Sequence, residues 1–327
     1  MLLRYQLREV ASVNNGLYSV ADAHCDTIYE IVKQSKQLKK NDLKVSLEKL
    51  LTYEHYVQFF ALWVDDAETA PFASVLQMLD IFYEELEKNK ENLCHILKAS
   101  DFKKTFDEKK VGALLTVENG KALMGSCDNL RLLYEKGVRG ITLTWNGANE
   151  LGDGALTENG GGLNDFGREV IYEMNRLGML IDVSHLSEQG FWDVLHVSDF
   201  PIMASHSNAA RLTPHPRNLK DEQLSALATC GGVVGLNLYP AFLSTNGKAD
   251  LDDCVRHLKH MLSVCGENGI ALGSDFDGFN GAMPEGLNDA GDYGKLFWTL
   301  KKAGWSETLI QKLTCDNLIR FASCIIK

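Results

Sequence analysis

No stretch of the 327-residue sequence is apolar for long enough to span a bilayer, and charges interrupt the opening segment MLLRYQLREVASVNNG within its first eight positions. A membrane-spanning helix is excluded on that pattern, and a secretion leader is not expected. Nor is there a run of Lys or Arg. With 33 basic against 44 acidic residues the formal net charge is −11, which opposes binding to nucleic acid or to an anionic membrane, so neither is expected as a partner. The eight cysteines include no CxxC pair and no even framework, in a chain too long to need disulfide staples, so reduced thiols and a cytoplasmic location are expected. Several signatures of hydrolase and nucleotide chemistry are missing as well: HExxH, GxSxG and GxxxxGK[ST]. Two Ser-His neighbours remain, Ser184-His185 and Ser205-His206. Both sit in strand-like runs, where adjacent side chains face opposite ways, and neither is read as a nucleophile-base pair. Without a linker, repeat or low-complexity tract, residues 1–327 read as one domain.

What is present is an alternation. Eight apolar runs have the near-continuous character of strands covered on both faces: 19–27, 57–64, 111–119, 138–146, 178–185, 201–208, 232–239 and 270–278. Between them lie segments of helical spacing, several of which stop at glycine, such as FGREVIYEMNRLG and LDDCVRHLKHMLSVCGENG. The last segment, SETLIQKLTCDNLIRFASCIIK, supplies an eighth helix. Eight such units predict an α/β fold, a (β/α)8 barrel of the TIM type, with the Gly-rich stretch 147–165 as a loop on its rim.

Polar residues are placed in this pattern with regularity. His24 and Asp26 end the first run, Glu118 the third, His185 the fifth, His206 the sixth and Asp275 the eighth, all at carboxyl ends, where barrel sites are built. In the unit around LIDVSH and PIMASH, two strands flank a helix that has Ser187 as its N-cap, and parallel pairing brings His185 and His206 together. Taken singly, each residue has a plain structural reading: a strand-end carboxylate caps turns, and a lone histidine is more often a satisfied core residue. Their convergence favours a dinuclear metal site, with His24 and Asp26 on one side of the strand, Cys25 on the other, and Glu118 able to bridge. The remaining histidines, 55, 95, 196, 215, 257 and 260, are read as structural, His215 with the least support.

The motifs DAHCDT, ENG, LTWN, IDVSH, SHSNAAR, PRN and GSDFDG resemble those of the renal or membrane dipeptidase family of zinc peptidases, and the likeness spans nearly the whole chain. It implies two zinc ions, one on His24, Asp26 and Glu118 and the other on Glu118, His185 and His206. A hydroxide shared by the ions would attack a small dipeptide, including those with a C-terminal D-residue. Asp275 matches the family's acid-base aspartate, and Glu118 counts with it as catalytic. Arg217 is implied as the partner of the substrate carboxylate, and Trp145 and Tyr239 as further substrate-binding residues. Trp145 departs from the animal members, which carry a histidine there. The likeness also leaves room for a homodimer. Two alternatives stay open: hydrolysis of another small amide, lactone or β-lactam on the same barrel, and a non-catalytic peptide- or metal-binding protein.

Overall fold

Runs such as HYVQFFALW and VGALLTVE present apolar side chains on both sides of an extended backbone, which is stable only where both faces of a sheet are covered. The computed structural model describes residues 15–327. In it the strands are β1 (Ser19–Cys25), β2 (His55–Trp63), β3 (Leu93–His95), β4 (Val111–Glu118), β5 (Val138–Thr142), β6 (Leu180–Asp182), β7 (Met203–Ala204), β8 (Val233–Leu236) and β9 (Ile270–Leu272). All pair in parallel. Eight of them close a ring, in which β2 pairs with β4 from Val57↔Gly112 to Trp63↔Glu118 and the order then runs through β1, β9, β8, β7, β6 and β5 back to β4. This is the expected (β/α)8 barrel. The strand that sequence reading missed is β3, whose three residues pair with Val111–Ala113 on the edge of β4 that β5 takes over from Leu115 onward. It is too short to carry a periodicity.

One end of the ring is closed from within. Ala21, Phe59, Leu114, Leu180, Met203, Val233 and Ala271 pack with Leu318, Phe321 and Ala322 of the carboxyl-terminal segment. Thr314 Oγ1 donates to the Ser19 carbonyl at 2.9 Å and Asn317 Nδ2 to that of Ile270 at 2.8 Å, at the amino ends of β1 and β9. The segment is not the single helix expected: a π-helical turn over Lys312–Asp316 separates Glu307–Gln311 from Asn317–Ser323. Such a turn leaves the apolar spacing nearly intact, so the sequence does not betray it. With the amino end plugged, a ligand has only the carboxyl end to enter. There the helix Glu188–Val197 starts on Ser187, whose Oγ accepts the Gly190 amide at 3.0 Å, the cap read from the sequence.

All eight cysteines are unpaired, and among the described residues no helix is long and apolar enough to cross a membrane. The first fourteen residues, on which the absence of a leader and the amino-terminal limit of a 1–327 domain depend, lie outside the described residues.

His257, on the helix Leu251–Cys265, is a satisfied core residue. Its Nδ1 accepts the Ala209 amide at 3.3 Å and its Nε2 donates to the Leu243 carbonyl at 3.1 Å, which fixes it as neutral. Burial pushes its pKa down to about 4. Below the unfolded value of ~6.5 the unfolded chain takes up a proton that the folded chain refuses, so stability present above that pH is lost as pH falls toward 4. The loss from this group between pH 7 and 5 should be about 2 kcal/mol. Urea melts at the two pH values should show a smaller drop for His257→Gln than for the natural chain; equal drops would refute the assignment.

Candidate metal centre

An irregularity in β1 shapes the first part of the site. The register with β2 moves from Asp22↔Gln58 to Cys25↔Phe60, so β1 carries one extra residue, a bulge that re-aims the strand end. Cys25 packs into the outer core while His24 Nε2 comes to 3.3 Å from Asp26 Oδ2. Glu118, the last residue of β4, lies between two imidazoles: its Oε2 is 3.2 Å from His24 Nε2 and its Oε1 is 2.9 Å from His185 Nε2 and 3.7 Å from His206 Nε2. The two histidines sit just beyond the short strands β6 and β7, with their Nε2 atoms 2.9 Å apart. Asp275, beyond β9, reaches to 3.9 Å from His24 Nε2. Among the described residues, three overlapping groups therefore have ligand atoms within 4.8 Å of one another: His24, Asp26 and Glu118; Glu118, His185 and His206; and His24, His206 and Asp275.

The Ser205-His206 pair does not behave as strand alternation predicts. β7 ends at Ala204, so both residues lie in a turn, and Ser205 Oγ is 2.7 Å from His206 Nδ1. The hydroxyl is nevertheless no nucleophile, because Ser205 is buried and hydrogen-bonded to Asp182. Other supporting residues also escaped the sequence reading. His185 Nδ1 donates to Asn146 Oδ1 at 2.9 Å, and Asn237 Nδ2 donates to Asp275 Oδ2 at 2.9 Å. Asn146 closes the LTWN motif and Asn237 lies in the apolar run 232–239, and the sequence carries no other signal for either.

The charges in this cluster are unbalanced. Burial opposes the charge on His24, but Glu118 and Asp26 outweigh it and hold the imidazole well above its usual range. Burial likewise disfavours a charged Glu118, yet His24 and His185 keep it well below the carboxylate range. Burial, followed by the neighbouring Glu118, pushes Asp26 well up. Asp275 is lifted to about 6 by burial, while His185 falls to about 3 through burial and then the charge of Arg217. Two buried carboxyl groups, Asp26 and Glu118, and the half-buried Asp275 thus face one proton-bearing imidazole. His24 Nε2 and Asp26 Oδ1 are buried without a hydrogen-bond partner. A donor set of imidazole nitrogens and carboxylate oxygens, partly unsatisfied and short of positive charge, fits a divalent metal such as zinc.

Two cavities meet at His185. One, of about 150 Å³, is bordered by Asp26, Glu118 and Asp275 and by the rings of Tyr29, Trp63, Trp145 and Phe279. Trp145 stands 5.1 Å from Trp63 and 6.3 Å from His185, ring to ring. Tyr239 is set back from this cavity, its ring 4.9 Å from that of Phe279. The other cavity, about 410 Å³, is bordered by Arg217, His215 and the rim loop at Gly154, Ala155 and Thr157. Ala155 anchors that loop by donating its amide to the His185 carbonyl at 2.7 Å. Arg217 is buried; its Nη2 donates to the His206 carbonyl at 3.3 Å and its Nε has no partner. His215 lies beside it, accepting the Arg217 amide at 3.1 Å, and borders the larger of the two cavities, which the other histidines read as structural do not.

Residues 10–325 match the membrane dipeptidase family, peptidase family M19. An uncharacterized protein of Klebsiella pneumoniae from the pqqA 5′ region is 36% identical over 259 residues, 74% of this chain and 95% of that protein. Among solved structures, dipeptidase AC, a metallopeptidase of family M19, is 27% identical with a TM-score of 0.88, over 94% of this chain and 99% of that one. A metallopeptidase from Rhodobacter sphaeroides, liganded with a phosphinate mimic of the dipeptide L-Ala-D-Ala, is 26% identical with a TM-score of 0.87, over the same 94% and 99%.

The backbone at the site is in an unusual conformation. His185 and Asp275 have φ of 67° and 62°, in the left-handed region. A Cβ there costs ~1–2 kcal/mol, against ~0.4–1 kcal/mol that glycine adds to the freedom of the unfolded chain. In metal-free protein, His185→Gly should therefore resist denaturant better than His185→Ala, by roughly 0.5–1 kcal/mol. The opposite order in urea melts would show that the turn stores no strain.

Proposed function

Since the chain belongs to the membrane dipeptidase family, peptidase family M19, and is on that ground a metallo-dipeptidase, we propose that it hydrolyses small dipeptides with two zinc ions held at the carboxyl end of the barrel. The observation that carries this reading is Glu118, whose two oxygens face different imidazoles, Oε2 toward His24 at 3.2 Å and Oε1 toward His185 at 2.9 Å. One carboxylate so placed can serve two ions. His24, Asp26 and Glu118 would hold the first, and Glu118, His185 and His206 the second. Bound there, the ions supply Lewis acidity that polarises a peptide carbonyl and makes water a nucleophile near neutral pH.

The chain's own residues supply the rest. Asp275, oriented by Asn237, takes the proton of the attacking water and delivers it to the leaving amine. Arg217, with its Nε unpartnered, receives the substrate carboxylate as a planar fork. Trp145 forms the pocket wall with Trp63, and Tyr239 acts on the pocket through Phe279. Cavities of about 150 and 410 Å³ suit two residues better than a longer peptide. The Rhodobacter sphaeroides enzyme holds a mimic of L-Ala-D-Ala, which supports acceptance of a C-terminal D-residue here. A cytoplasmic location, supported by the eight unpaired thiols, completes the proposal.

Zinc titration of chelator-stripped protein should reach two ions per chain, and Glu118→Ala should lose both more readily than His206→Ala does. Saturation at one ion would end the bridged arrangement. Product analysis on L,L and L,D dipeptides, with lactones as controls, tests the substrate class. Asp275→Asn should keep its metal and lose ~10²–10⁴ in turnover; near-normal turnover would remove Asp275 from the chemistry. An indole neither titrates near neutral pH nor matches imidazole in size, so Trp145→His should change the ranking among dipeptides more than the pH profile. A new titration at pH ~6–7 with an unchanged ranking would contradict the pocket-wall role.

A further inference from the structure

Asp182 ends β6 and is almost completely buried, and every one of its partners is a donor. Oδ1 accepts the backbone amides of Ser184 and Ser205, each at 2.9 Å. Oδ2 accepts the hydroxyls of Thr142 at 2.7 Å and of Ser205 at 2.5 Å. A serine hydroxyl has one proton. Because that of Ser205 goes to Asp182, its Oγ can only accept from His206 Nδ1, 2.7 Å away. The Ser184 hydroxyl, 3.3 Å from Ser205 Oγ, can donate only into the same oxygen's other lone pair, while its own Oγ accepts the His206 amide at 3.1 Å. Nothing in this network can reverse direction while Asp182 remains a carboxylate.

From this hydrogen-bond inventory we infer that Asp182, acting through Ser205, is a positioning residue that fixes the proton of His206 on Nδ1 and so leaves the Nε2 lone pair free for a metal. The inference rests on the reading of His206 as a ligand. His206 Nε2 points at His185 Nε2, 2.9 Å away, and toward Glu118 Oε1 at 3.7 Å, so the freed lone pair is aimed into the cluster. Ser205 has no room to move. A Cβ on Gly235 or Gly273 would fall 2.0 or 1.7 Å from its carbonyl oxygen, so both positions are glycine because the neighbouring backbone comes that close. His185 lacks such a device, since its Nδ1 meets the neutral amide of Asn146.

Asp182→Asn separates this role from simple support of the strand ends. The two backbone amides at Oδ1 require an oxygen there, so the amide oxygen of the new side chain must take that place and its NH2 must face Thr142 and Ser205. The Ser205 hydroxyl then turns its proton toward His206 Nδ1, and the histidine proton moves to Nε2, where it blocks a metal. Nitrogen-15 NMR of histidine-labelled, metal-free protein reads the tautomer directly. His206 should carry its proton on Nδ1 in the natural chain and on Nε2 in Asp182→Asn. In zinc titrations, Asp182→Asn and Ser205→Ala should weaken one of the two ions by ~10–100-fold and the other less. A proton on Nε2 in the natural chain overturns the inference without recourse to any variant, as does an Nδ1 proton in a folded Asp182→Asn. A reversed tautomer with unchanged zinc affinity would uphold the relay and count instead against His206 as a ligand.

Discussion

The site depends on keeping the Glu118 carboxylate ionised in a place from which water is excluded. Burial of a charge costs several kcal/mol, and here it is offset chiefly by the proton-bearing His24, whose Nε2 lies 3.2 Å from Oε2; on the other side the neutral His185 turns its Nε2 lone pair to Oε1 at 2.9 Å, a contact that a cation between them would make favourable. Asp26 and Asp275 bring two more carboxyl groups into the same small volume, where burial and Glu118 favour their neutral forms, so their ionisation calls for positive charge at its centre. In the chain alone, a proton on His24 does this in part. The barrel makes the geometry possible, because five strand ends converge on one mouth whose floor is sealed by the carboxyl-terminal helix.

Two buried aspartates perform related work on opposite sides of the ring. Asp22 on β1 accepts the amides of His24 and Ser274 at 3.2 and 3.0 Å and the hydroxyl of Tyr293 at 2.7 Å. It ties β1 to the segment after β9 and anchors both to the outer helix Tyr293–Lys302. Asp182 ties β6 to the segment after β7 in the same manner, from inside the ring. In each case the amides taken up belong to a site residue, His24, or to the residue just before one: Ser274 before Asp275, Ser184 before His185 and Ser205 before His206. The short strands in the second half of the barrel are thus the condition for placing side-chain carboxylates where backbone carbonyls would ordinarily stand.

The barrel was legible in the sequence because buried parallel strands are apolar on both faces and because polar residues interrupt them only at one end. The candidate residues at those ends were legible for the same reason. What escaped had no local signature. β3 is three residues long, the π-helical turn preserves apolar spacing, and the β1 bulge depends on its pairing with β2. The Ser205-His206 pair was misread because alternation was extended past the strand end: β7 stops at Ala204, and the turn that follows puts the two side chains on the same side. Asn146 and Asn237 could not be singled out, since an asparagine near a strand end is most often a turn residue. Their role comes from partners 39 and 38 positions away.

The two halves of the cluster differ in their access to substrate. His206 is completely buried and enclosed by Ser184, Ser205 and the Arg217 guanidinium on its carbonyl, whereas His185 borders both cavities. Its backbone carbonyl also holds the rim loop at Ala155, and its backbone is in the left-handed region. A substrate spanning the two cavities must pass His185, with aromatic rings on one side and Arg217 on the other. The scissile bond would then lie over the mouth of the cluster, near Asp275, which borders the smaller cavity. On this arrangement His206 acts as the fixed wall of the site and His185 as its face. That division explains why the proton of the first is held by an anionic network while that of the second meets only a neutral amide on a loop.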